Sequence, residues 1–90
     1  MKNRAWLRCD VRPGMFDDEV AICVTTLAGG ILSFFIPADL VGRFSAASEE
    51  KAISVDVVDR NGEYGIVALP GRSFEGSSFA TVPAGALRFA

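Results

Sequence analysis

The sequence predicts an all-β fold: a single small barrel or curled antiparallel sheet of five or six strands spanning residues 1–90. Three observations lead there. Val, Ile and Thr supply seventeen residues and Phe seven more, whereas Lys occurs twice and Gln never, a balance that favours strands over helices. Six short apolar runs are punctuated by Gly and Pro, as in small β proteins. No helical pattern is available to cover an open sheet, so closure into a barrel, which leaves no edges, is the favoured way to finish it. At 90 residues and 9.6 kDa the chain has room for one core.

Residues 4–12 alternate, with Ala5, Leu7, Cys9 and Val11 on one face and Arg4, Trp6, Arg8, Asp10 and Arg12 on the other, so they read as one half-buried strand. Pro13-Gly14 breaks it, and Asp17-Asp18-Glu19 leads into a second run from Val20 to Leu27. Gly29-Gly30 then offers the positive φ of a tight turn into residues 31–36, which predicts an antiparallel hairpin. Residues 37–41 read as a helical or 3-10 turn that stops the third strand while Leu40 and Val41 tuck inward, and residues 42–50 read as the longest loop.

The sharpest local signal is Asn61-Gly62 between residues 53–60 and 63–69, which selects a type I′ turn. That turn sets Arg60 opposite Glu63, Val57 opposite Ile66 and Asp56 opposite Val67. It leaves Val58, Val67 and Leu69 on a second apolar side, a possible interface with another protein or a second copy. A turn at Pro70-Gly71-Arg72-Ser73 and a sixth strand at residues 78–82 complete the sheet. The strand then ends in a second short turn near residues 83–87. That ending echoes the first, Phe35-Ile36-Pro37-Ala38 against Thr81-Val82-Pro83-Ala84: a degenerate repeat of two three-stranded halves would explain the echo, and so would chance in a chain rich in Ala and Pro.

Phe35-Ile36-Pro37-Ala38-Asp39-Leu40-Val41 resembles the closing turn of SH3 domains, an apolar pair and a proline before the last strand. The resemblance implies a small barrel, SH3-like or OB-like in scale. It does not imply proline-peptide binding, because Leu40 stands where that family's groove uses tyrosine and its tryptophan after an acidic loop has no counterpart.

Composition narrows the function. The chain has no histidine, which removes Ser-His-Asp and Cys-His nucleophile systems and most catalytic zinc sites. Ser73, Ser77 and Ser78 lie in a glycine-containing loop without a nucleophile elbow or a base, and neither glycine pair has the Gly-Lys-Ser ending of a phosphate loop. Adjacent carboxylates at Asp17-Asp18-Glu19 alternate sides on an extended chain, so a solvated turn outweighs a metal site. Cys9 and Cys23 lack metal-ligand spacing and read as reduced thiols in apolar runs. The expectation is a protein without enzymatic activity, cofactor or metal. No secretory signal or membrane span is visible in these residues, so a cytoplasmic location is expected.

Charge is uneven. Residues 1–12 hold four cations and one acid, net +3, and the remainder holds five cations and ten acids, net −5. Arg4, Trp6, Arg8 and Arg12 therefore form a basic strip around the only tryptophan, with same-face neighbours about 7 Å apart. Such a strip suits a base stacked on indole with arginines on phosphate, so a small nucleic-acid-binding barrel is the alternative function. The competing account of the strip is structural, with Trp6 packed on a neighbour and the arginines paired with the acidic body. The preferred function is a non-enzymatic binding or assembly module, partner a protein or a second copy of itself. A carboxylate-based enzyme, built on a pocket at residues 17–19, ranks third.

Overall fold

The computed structural model describes residues 3–70 and 78–89, and its strands confirm the all-β class. The turn expected at residues 71–73 and the Ser73 and Ser77 part of the serine loop lie outside the described residues. In chain order the strands are β1 (Asn3–Arg8), β2 (Asp10–Pro13), β3 (Glu19–Thr25), β4 (Ile31–Pro37), β5 (Val41–Arg43), β6 (Lys51–Arg60), β7 (Tyr64–Ala68), β8 (Phe79–Pro83) and β9 (Leu87–Phe89).

They form two sheets rather than the expected closed barrel. One sheet runs β8-β7-β6-β1-β9, with β5 on the same edge of β6 as β7, and the other runs β2-β3-β4. The path ends at β8 and β9 without joining them. β9 is only three residues long, and β8 receives a loop at its edge, where the Leu27 amide donates to the Thr81 carbonyl at 2.9 Å.

Residues 4–12 are not one strand. The chain breaks at Cys9, whose amide still donates to the Lys51 carbonyl at 3.1 Å, and then leaves β6 to pair with β3. Alternation runs unbroken through this switch, because Ala5, Leu7, Cys9 and Val11 all face the same core. Phe34, Leu7, Ile22, Ile53, Val24, Val55, Val67 and Val82 are its fully buried centre.

Both Pro-Ala segments make 3-10 turns, Ala38–Leu40 and Ala84–Ala86, each followed by a three-residue strand. Val41 packs against the core as expected, but Leu40 stays 50% exposed.

The second hairpin departs from its expected register. Among the described residues only Gly29 has positive φ, so Asn61-Gly62 is not a type I′ turn. The Asn61 side-chain Oδ1 instead accepts from the amides of Glu63 and Tyr64 at 2.8 and 3.0 Å, and the Asn61 amide donates to the Tyr64 carbonyl at 2.9 Å. This is an Asx turn with Gly62 and Glu63 at its centre. It puts Arg60 opposite Gly65 and Asp59 opposite Ile66, and a bulge at Val58 then brings Val57 opposite Val67. The face of β7 is therefore the reverse of the expected one. Val67 is 0% exposed and Leu69 is buried, while Val58 on the bulge is 61% exposed, so the three do not make a shared apolar face.

The positive-φ turn belongs to the first hairpin, where Leu27, Ala28 and Gly29 form a three-residue loop. The Gly29 amide donates to the Thr26 carbonyl at 3.0 Å, and the Thr26 amide to the Gly30 carbonyl at 2.8 Å. Gly29 sits at φ +90° with open space around it, so Gly29→Val is opposed by backbone strain alone, about 1 to 3 kcal/mol. Gly62→Ala meets neither strain nor neighbours and is expected within about 0.5 kcal/mol of the parent. Thermal melts of the two variants separate these turns.

Candidate functional site

β1 turns Ala5 and Leu7 into the core, which sends Arg4, Trp6 and Arg8 to the opposite face. Arg4 lies directly across from Asp56 on β6. Its Nη1 donates to Asp56 Oδ1 at 2.8 Å, while Nε and Nη2 donate to Ser54 Oγ at 3.1 and 2.9 Å. The pair is solvent-exposed, so it orients the guanidinium more than it stabilises the fold.

Trp6 pairs with Ser54 on one side and Arg88 on the other, and its ring reaches across to β5. A Cβ placed on Gly42 would stand 2.7 Å from both Cη2 and Cζ3 of the indole. Gly42 lies opposite the buried Ala52, and with no side chain of its own it makes the bed on which the tryptophan lies half-buried. Only glycine permits that approach.

Arg8 stacks on Phe44 rather than on the indole, with its guanidinium carbon 5.3 Å from the ring centroid, and its Nε is 3.6 Å from Glu50 Oε2. Arg88 Nε donates to the Phe44 carbonyl. Arg12 is exposed on β2 opposite Ala21, in the other sheet. The structure thus brings Arg4, Trp6 and Arg8 together and separates Arg12 from them. The indole seat and the Arg8–Phe44 stack come from residues in β5 and the loop after it, which no spacing along β1 announces.

Beside Arg8 lies a cleft of about 660 Å³, where β1 passes into β2. Arg8, Cys9, Asp10, Cys23, Glu50 and Lys51 are among its lining residues. Both signs of charge line it, so it selects no simple anion or cation. It was illegible in the sequence because its walls come from separate strands and from the turn after Pro83.

Cys9 and Cys23 are both free thiols, Cys9 buried and Cys23 half-buried with Sγ 3.5 Å from Ser33 Oγ. Burial first, then the Asp10 charge, then Cys23, push the Cys9 thiol from 9.0 up to about 11. The folded protein therefore keeps Cys9 protonated where the unfolded chain would ionise it. Its stabilising contribution is complete below pH 9 and is lost as pH rises through 11. Cys9→Ala is expected to flatten the fall in stability between those pH values, read by urea melts. At pH 8 iodoacetamide is expected to modify Cys23 well before Cys9.

Asp17 and Asp18 are exposed in the β2–β3 loop. Asp18 and Glu19 line a shallow depression of about 180 Å³ with Phe35, Ile36 and Pro37. Among the described residues no group of three His, Cys, Asp or Glu side chains is placed to hold a metal ion.

Among the described residues, the most exposed large apolar side chains sit beside these carboxylates. Met15 is 79% and Phe16 67% exposed at the tip of the β2–β3 loop. The Ala38 amide donates to the Asp18 carbonyl at 2.8 Å, which holds the first 3-10 turn, with exposed Leu40 and Asp39, against the same loop. No protein family, no curated protein and no solved structure matches the chain.

Proposed function

We propose that the chain is a non-enzymatic binding or assembly module whose partner is another protein or a second copy of itself. The observation that carries this reading is the β2–β3 loop, where Met15 and Phe16 stay in water beside Asp17 and Asp18, and to which the Ala38–Asp18 bond holds the 3-10 turn with its exposed Asp39 and Leu40. Exposed apolar side chains with carboxylates beside them fit an apolar socket edged by basic residues. The arginines of β1 support the same choice. A phosphate ligand would have to draw Arg4 from Asp56, and a stacked base would have to share an indole already seated on Gly42.

Sedimentation velocity of the parent and of a Met15→Ser, Phe16→Ser double variant tests the proposal. Both side chains are outside the core, so the variant keeps the parental melting temperature. The parent is expected to gain mass with concentration or to bind an apolar dye at the tip, and the variant to do neither. A parent that stays at 9.6 kDa and binds no dye removes this reading.

A further inference from the structure

We infer that the chain is two equivalent units in tandem, each closed by the other's last strand, and that a second copy of this chain substitutes for either half. The inference does not rest on the exposed Met15 and Phe16 or on the proposed function.

Pro37 and Pro83 stand 46 positions apart with nearly identical backbones, φ −59° and ψ 138° against φ −60° and ψ 143°. Each opens a three-residue 3-10 turn and then a three-residue strand. The amide after each proline makes the same long-range bond, Ala38 to the Asp18 carbonyl at 2.8 Å and Ala84 to the Glu63 carbonyl at 2.9 Å. Glu19 lies opposite Pro37 as Tyr64 lies opposite Pro83.

The hairpin tips correspond too. The Gly14 amide donates to the Glu19 carbonyl at 3.2 Å, and the Asn61 amide to the Tyr64 carbonyl at 2.9 Å. Four residues separate the first pair and two the second, while the Val58 bulge adds one residue to β6. The offset therefore passes from 46 to 47 at the bulge and to 45 after the tip, and is 46 again from Phe34 through the prolines. Burial follows it: Ile22 and Val24 correspond to Val67 and Leu69, and Phe34 and Ile36 to Ala80 and Val82, all buried.

The closing strands are exchanged. Val41 lies opposite Ile53, and Leu87 lies opposite Leu7. Moving Val41 forward by 46 gives Leu87, and moving Ile53 back by 46 gives Leu7. So β5 ends the first unit but pairs with β6, the opening strand of the second, and β9 ends the second but pairs with β1. The two opening strands pair with each other, Leu7 opposite Ile53. These ladders hold the halves together without requiring that they share one chain. The direct link from β5 to β6 is the seven residues 44–50, which turn back through the Phe44 amide bond to the Glu50 carbonyl at 2.9 Å.

Deleting residues 44–50 tests the exchange. Antiparallel strands cannot reverse without a loop, so β5 would run straight into β6 and find its ladder on a second copy. The shortened chain is expected to sediment as a dimer, at twice its own mass, with the parental circular dichroism. A folded monomer or an unfolded chain overturns the inference. A circular permutant opened between Ala46 and Ala47 removes the objection that this loop is needed for folding. With two residues inserted between Ala90 and Met1, seven residues span Phe89 to Ala5, as seven span Arg43 to Lys51. The permutant is expected to be a monomer with parental Trp6 emission, and an unfolded permutant contradicts the equivalence. Adding Met15→Ser and Phe16→Ser to the shortened chain leaves the dimer intact, so this inference and the proposed tip function fail separately.

Discussion

Phe34→Ala is expected to cost about 3 to 5 kcal/mol, the usual loss for emptying a buried phenylalanine site. Phe34 has no exposed surface, and it lies opposite Ile22 in a centre that is otherwise all Leu, Ile and Val. β-branched neighbours are stiff at χ1, so the walls relax little into the void. A chain of this size has roughly 5 to 13 kcal/mol of stability in total. The melting temperature should therefore fall by about 12 °C or more. Phe35→Ala, one residue along β4 and facing the other way, removes a half-buried ring and is expected to cost clearly less. Equal losses at the two positions would contradict the register of β4 on β3.

Gly42→Ala is the second large expected effect. The new methyl would sit 2.7 Å from two ring atoms of Trp6, too close for the indole to remain where it is. Overpacking of this kind costs about 1 to 3 kcal/mol. Because Trp6 is the only tryptophan, its emission should shift to the red as the ring moves into water. Trp6→Leu in the same background vacates the bed and should recover part of the lost stability. A Gly42→Ala protein with parental emission and melting would place the indole elsewhere.

Much of the fold was legible in local chemistry. The apolar runs, the Gly-Gly hairpin, both Pro-Ala turns and the inward set Ala5, Leu7, Cys9 and Val11 all follow from side-chain period and turn residues. The illegible parts are those where one local signal permits two structures. Asn61-Gly62 serves equally as a type I′ pair or as an Asx turn that starts one residue later, and the choice inverted the face of β7 along with Val67 and Leu69. The break at Cys9 leaves alternation intact, so nothing in residues 4–12 marks the change of sheet. Barrel closure was expected from the need to hide edges, but a docked loop at Thr81 and a three-residue β9 end the sheet without it. In the candidate site, the identity of Arg4, Trp6 and Arg8 was readable, whereas their partners Asp56, Gly42 and Phe44 are more than 30 positions away in the chain.

The ladder between β1 and β9 also sets an order in time. Ala5 finds its partner in Phe89, almost the full length of the chain away, and Leu7 finds Leu87. Pairings of such long range delay the transition state, because loop-closure entropy is spent before they reward it, and folds dominated by them mature in milliseconds to seconds. A nascent chain can form the β3–β4 hairpin as soon as it emerges, but β1 keeps an unpaired edge until Phe89 has left the ribosome. During that interval the edge of β1 is open to pairing with another chain.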